Sequence, residues 1–347
     1  MIGSKLGSLT KILGALALAI GLLGQSVRAD DQVQLVGAGA TFPAPLYQQW
    51  FKDYHEKHPN VVVEYQGIGS GGGIKQFTEG TTDFGASDAA MSDKEISKVK
   101  DGVLLLPMTA GAIVLSYNLP DVKELKLTRE AYAGIFMGTI TKWNDPAISA
   151  ANPDAKLPDG PINVVHRADG SGTTFIFTTH LSAISPDWKS KLGAGKTVNW
   201  PVGVGGKGND GVTDLIKQTP GSIGYIEFGY AMNSGLPFAE LQNKAGKFIT
   251  ATLDSAAESL AAVEMPENLR AFLPDPQGDG SYPIVSMTWL LVHPNYADAT
   301  KGNTIKDIIT YGLTEGQKSS KVLGYVPLPD AVISKVKAAA DTIKAGG

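Results

Sequence analysis

The 347-residue chain carries 30 Lys and Arg against 34 Asp and Glu, a formal net charge of −4, and no cysteine. A disulfide framework, a thiolate metal site and a lipid-bearing cysteine are thereby excluded. The mildly acidic balance also argues against nucleic acid or an anionic membrane as partner, so an anionic ligand has to be drawn by local dipoles and a few chosen cations.

The chain opens as an export signal. Lys5 and Lys11 form a basic start, residues 12–24 an apolar stretch too short to span a bilayer comfortably, and Val27-Arg28-Ala29 a small-residue cleavage point. Cleavage after Ala29 is expected to leave a soluble periplasmic protein that begins Asp30-Asp31. Its 27 basic and 34 acidic side chains then give a net charge of −7. Residues 30–347 are enough for two domains of ordinary size.

Short β-branched runs alternate with helical patterns, which predicts an α/β fold. Residues 33–36 read as a strand. Residues 44–57 read as a helix with Leu46, Tyr47, Trp50, Phe51 and Tyr54 on one face. Strands follow at 61–65 and 83–86, a capping box at Ser92-Asp93-Lys94-Glu95, and a strand at 103–107. Thr128 is placed to cap a helix that runs to Met137. Strands at 161–165 and 221–226 flank a helix that begins at Asn209 and ends near Gln218. Two apolar strands, 112–117 and 284–292, bracket this middle part. They predict an inserted domain, 112–286, joined by two crossings to a discontinuous one, 30–111 with 287–347. The helical pattern of 331–343 is expected to pack back on the first domain.

Three turns share one form, a strand, a small hydroxyl-bearing loop, then a helix. They are GAGATFPAP with Thr41, GIGSGGG with Ser70, and RADGSGTT with Ser171, Gly172 and Thr173. Helix starts of this kind gather unpaired N–H groups beside a hydroxyl and attract small anions. Any one of them alone is an ordinary helix cap. Three together, with Arg167 four residues before Ser171 and Asp169 between them, point to an oxyanion. Asp88, in DFGASDAAMS, is the odd member, because a carboxylate repels an anion unless the ligand brings it a proton. Phosphate does so near neutral pH, since its second ionisation lies near pH 6–7; sulfate does not. Gly67, Gly69 and Gly72 also fit a dinucleotide turn with Asp88 beyond it. A phosphate-sized loop explains that match better in an exported protein, and GVGGKGND lacks the Ser or Thr of a Walker loop.

GAGATFPAP, YQGIGSGGGIKQ, DFGASDA, TKWND, RADGSGTT, GGKGNDGV and GSIGYIE together resemble the phosphate-binding proteins of high-affinity phosphate ABC transporters, the PstS family. The resemblance runs from Gly37 to beyond Val292. It implies two α/β domains of the periplasmic binding protein fold, closing on one inorganic phosphate, with two strands crossing between them. It implies phosphate contacts from Thr41, Phe42, Ser70, Asp88, Arg167, Ser171, Gly172 and Thr173, with Asp169 supporting Arg167. It also implies a chain that is no enzyme, needs no cofactor or metal, stays monomeric until docked, and delivers phosphate to an inner-membrane ABC permease.

Two other readings compete. A receptor for another tetrahedral oxyanion shares every feature except Asp88. A secreted serine hydrolase has a candidate nucleophile in Ser87 of GASDA, with His166 and His180 as distant candidate bases. His55 and His58 read as a solvated helix end, and the absence of a His-Glu-x-x-His pair argues against zinc. The five Trp read as core or pocket-wall residues.

Overall fold

The computed structural model describes residues 32–261 and 263–346. The expected export signal and its cleavage point at Ala29 lie outside the described residues. No described helix is long and apolar enough to cross a membrane.

Eight strands form one continuous sheet. They are β1 (Val33–Gly39), β2 (Val61–Gly67), β3 (Phe84–Ser87), β4 (Leu104–Tyr117), β5 (Asn163–Arg167), β6 (Val204–Gly206), β7 (Ser222–Glu227) and β8 (Val285–Val292). Their order is β2-β1-β3-β8-β4-β7-β5-β6. The strands β1, β2 and β3 are mutually parallel, as are β5, β6 and β7. Each outer part is therefore built from strand–helix–strand crossovers, with helices covering the faces. In the middle, β8 runs antiparallel to β3 and β4, and β4 antiparallel to β7.

The strand β4 joins the two halves. Its residues 104–112 pair with β8 and its residues 113–117 with β7, the partner changing between Ala112 and Ile113. The sequence suggested two strands here, broken after Pro107; the chain instead makes one strand of 14 residues. Pro107 pairs with Trp289 where the register shifts between Thr288 and Trp289. A proline has no N–H for the ladder, and a bulge puts that missing donor where pairing is already interrupted. The second strand, expected over 284–292, runs over Val285–Val292. It pairs with β3 and with residues 104–112 of β4, in the first half, and just before it Ile113 N–H donates to the Ile284 carbonyl at 2.9 Å.

Local signals and packing agree elsewhere. Helix Ala44–Lys57 buries Leu46, Tyr47, Trp50, Phe51 and Tyr54. Thr128 caps helix Arg129–Met137 by accepting from the Ala131 N–H, and the Ser92–Glu95 capping box forms, though its helix is only Asp93–Ile96. Helix Asp330–Asp341 buries Val332, Val336 and Ala340 and packs on helix Ala299–Leu313 and β4, in the first half of the molecule. Trp50, Trp143, Trp188 and Trp289 are fully buried core.

Candidate anion-binding site

The parallel strands deliver their carboxyl ends to one crevice, where α/β sheets bind ligands. The turn after β1 carries Thr41 and Phe42, and the turn after β2 leads to Ser70 at the start of helix Ser70–Thr78. Asp88 directly follows β3. On the other half, β5 ends at Arg167, before helix Gly172–Ile184. Thr41, Phe42, Ser70, Asp88 and Arg167 are all buried, Asp88 to 1% exposure and Arg167 to 4%.

The first turn is pinned by tyrosines. The consecutive carbonyls of Ala40, Thr41 and Phe42 each accept a hydroxyl hydrogen at 2.7 Å, from Tyr65, Tyr230 and Tyr325 respectively. With those acceptors engaged, the N–H groups of Thr41 and Phe42 find no carbonyl partner among the described residues. Successive free N–H groups of this kind form an anion-binding nest. The Phe42 ring is buried against Gly111, where a Cβ would lie 2.9 Å from the tip of the ring.

Three hydroxyls are turned into obligatory donors. Thr41 Oγ1 accepts from the Asn209 N–H at 3.1 Å and from Asn209 Nδ2 at 3.0 Å. Ser70 Oγ accepts from the N–H groups of Asp88 and Gly172, both at 3.1 Å. Thr173 Oγ1 accepts from Arg167 Nη1 at 3.2 Å and Asn209 Nδ2 at 3.3 Å. A hydroxyl has two lone pairs and one hydrogen, so each of these oxygens has only its hydrogen left to offer. For Ser70 the Asp88 carboxylate lies 3.5 Å away, too long for a strong bond.

Arg167 and Asp169 form the bidentate pair that the sequence suggested, at 2.9 Å from Nε and 2.6 Å from Nη2. Nε and Nη2 of Arg167 are therefore taken by Asp169. Three of the five guanidinium N–H bonds are used within the chain, counting the one to Thr173, and two remain. Asp169 also accepts from the Gly208 N–H at 3.0 Å. Burial works to raise its carboxyl, but the hydrogen bonds and charge of Arg167 hold it below the usual carboxylate range. Ser171 is more ordinary than the other turn residues. Its Oγ caps its own helix at Thr174 N, 3.0 Å away, and its N–H donates to the Lys196 carbonyl.

Asp88 stands alone among these donors. Its Oδ1 accepts from the Thr288 hydroxyl at 2.7 Å. Burial pushes its carboxyl up to about 7, against the lowering effects of the Thr288 hydrogen bond and the Arg167 charge. The two halves also meet around it. Gly71 N–H donates to the Gly170 carbonyl at 2.7 Å, beside the Ser70–Gly172 bond, so the crevice is closed.

The hydrolase alternative loses its nucleophile. Ser87 is fully buried and bonded to Ala89, its Oγ donating to the carbonyl and accepting from the N–H. His180 is engaged by Tyr132 and the Pro274 carbonyl, and His166 stacks on Trp200. His55 and His58 are exposed at the end of their helix, as expected. Among the described residues, no group of His, Cys, Asp and Glu could hold a metal ion.

A family model described as a PBP superfamily domain matches residues 26–309. The phosphate-binding protein PstS of Pasteurella multocida is 41% identical over 327 residues, 93% of this chain and 94% of that protein. The chain belongs to the PstS family of phosphate-binding proteins. Another member, PstS of Methanocaldococcus jannaschii, is 44% identical over 85% of this chain and 82% of its own. The fold is likewise shared with the crystal structure of a phosphate-binding protein from Stenotrophomonas maltophilia. That protein is 19% identical and superposes with a TM-score of 0.70, covering 88% of this chain and 93% of that one.

Several parts of this candidate site carry little signal in the sequence. Asn209 lies in GGKGNDGV, which contributed to the resemblance, but only as a helix start. Thr288 is the polar interruption in the buried run VSMTWLLV of β8, and that interruption was the available signal. Tyr65, Tyr230 and Tyr325 act through carbonyls distant in sequence, and no local pattern marks them.

Proposed function

We propose that this chain is an exported receptor that closes on one inorganic phosphate and passes it to an inner-membrane ABC permease. The balance of donors and acceptors carries the reading. The hydroxyls of Thr41, Ser70 and Thr173, the free N–H groups of Phe42 and its neighbours, and the two spare N–H bonds of Arg167 all donate. Asp88 alone accepts. A buried set of this kind suits a tetrahedral oxyanion that still carries a proton, and every other partnering leaves a polar atom unmatched. In this reading Gly172 lets the backbone approach the ligand, Ser171 gives its hydroxyl hydrogen, and Asp169 keeps Arg167 in place. The names of the PstS relatives support phosphate as the ligand.

Two domains move in this reading, 30–111 with 287–347 and the inserted 112–286, and they flex where β4 changes partner. Export with cleavage after Ala29, a monomeric state before docking and the absence of catalysis complete it. A receptor for sulfate or another fully ionised oxyanion is disfavoured by Asp88. Titration calorimetry of the mature chain is expected to show one phosphate per chain with micromolar or tighter affinity. Binding of a nicotinamide dinucleotide in its place, or turnover of phosphoesters, would end the reading.

A further inference from the structure

Thr41 belongs to the β1 half of the molecule but is gripped from the other half at two atoms. Tyr230, in helix Phe228–Ser234, donates to its carbonyl at 2.7 Å. Asn209, in helix Gly208–Gln218, donates to its hydroxyl through both its N–H and its side-chain amide. The orientation of the Asn209 amide is fixed, because its Oδ1 accepts from the Glu227 N–H at 3.0 Å and only the NH₂ group can then face Thr41. Asn209 is fully buried, and the same NH₂ group reaches Thr173 at 3.3 Å. The helix that carries Tyr230 abuts the other half a second time. A Cβ on Gly229 would lie 2.4 Å from the Leu323 carbonyl oxygen, so the backbones there are in direct contact.

We propose that Asn209 and Tyr230 form a latch on Thr41, with two separable effects. Asn209 fills both lone pairs of the Thr41 hydroxyl and so aims its hydrogen at the ligand. Tyr230 prolongs the closed state without touching the ligand. The proposal rests on the phosphate-receptor reading and adds positioning residues that the reading does not require. A receptor closed only by its ligand would need no such bonds. A latch between protein groups instead raises the population of the closed form, and apparent affinity scales with that population.

Tyr230→Phe keeps the ring and removes one hydroxyl. Equilibrium dialysis gives its phosphate affinity, and release of labelled phosphate into excess unlabelled phosphate gives the dissociation rate. Loss of one neutral hydrogen bond is expected to speed release roughly fivefold to tenfold, with the association rate and the exclusion of sulfate unchanged. Asn209→Asp puts an acceptor beside the Thr41 hydroxyl, which then turns its hydrogen away from the ligand. Phosphate affinity is expected to fall on the order of a hundredfold or more, while Asn209→Ala loses less because it adds no competing charge. Thermal unfolding without phosphate serves as the folding control. A Tyr230→Phe protein that releases phosphate at the wild-type rate overturns the latch, as does an Asn209→Asp protein that binds like Asn209→Ala. A wild-type chain that binds no phosphate fails one step earlier and overturns the receptor reading itself.

Discussion

Thr288 donates its hydroxyl to Asp88 Oδ1 at 2.7 Å, from the strand next to the one that Asp88 follows. The bond commits one carboxylate oxygen and, in the phosphate-receptor reading proposed above, leaves Oδ2 as the acceptor for the ligand's proton. Protonated phosphate satisfies it. Sulfate sets two unprotonated oxygens against each other in a buried site, and rejection on the order of 10⁴–10⁵-fold is expected, as in sites built around one substrate proton. Asp88→Asn removes the repulsion, because its amide can accept from phosphate or, turned over, donate to sulfate. Selectivity is therefore expected to fall far more than phosphate affinity. Competition of sulfate against labelled phosphate measures both, and a mutant that excludes sulfate as well as the wild type would show that Asp88 does not read the proton.

Thr288→Val keeps the shape of the side chain and deletes the hydrogen bond. The buried Asp88 oxygen then has no partner, at a cost of about 1–3 kcal/mol when the carboxylate is ionised. Since that bond lowers the Asp88 pKa, its removal is expected to raise it further and weaken phosphate binding roughly tenfold at neutral pH. Thr288→Ser restores the hydroxyl and is expected to bind within a few-fold of the wild type. Calorimetry on the three proteins decides the matter.

The Asp88 pKa sets a pH dependence with a definite sign. Burial in the closed crevice raises it from 3.8 to about 7, so between those values the closed form keeps a proton that the unfolded chain has released. The stability of the closed form without phosphate is thus expected to fall as pH rises from about 4 to 7, by up to 1.4 kcal/mol per pH unit from this group, and then to level off. Burial also holds the Glu227 carboxyl well above its usual range, which adds to the fall. Asp88→Asn should remove one proton's share of the slope in denaturant titrations at several pH values. Protonated Asp88 can also donate to sulfate, so sulfate competition in the wild type is expected to strengthen about tenfold per pH unit below 7 and to stay flat in Asp88→Asn.

The parts of this protein legible in its sequence are those set by local chemistry. Helix Ala44–Lys57 follows from the spacing of five apolar residues, and the caps at Thr128 and Ser171 from their own side chains. Arg167 and Asp169 are two residues apart, and their pairing was within reach of local reasoning. The continuity of β4 through Pro107 was not legible, because the bulge that accommodates the proline is made by a strand some 180 residues later. Asn209, Thr288 and Tyr325 escaped for the same reason. Each acts on a partner more than 160 residues away, and its role exists only once the two half-sheets meet.

Gly172 gives the cleanest separation of binding from folding. It is the first residue of helix Gly172–Ile184 and has no positive φ, so alanine suits its backbone. The atoms nearest an added methyl group all belong to the other half. Across the crevice, the added Cβ would lie 2.4 Å from Ser70 Oγ and 2.6 Å from the Asp88 Cβ. Those atoms sit on buried backbone and cannot give way cheaply, so the methyl group wedges the two halves apart. Gly172→Ala is therefore expected to leave ligand-free stability unchanged or raised by about 0.4–1 kcal/mol, through the lost freedom of the unfolded chain. Phosphate affinity should fall more than a hundredfold, and phosphate should no longer raise the melting temperature. Small-angle scattering should show the wild type contracting when phosphate is added and the mutant keeping its radius. A mutant that binds phosphate tightly and contracts normally would mean that Gly172 and Ser70 do not come together in the bound state.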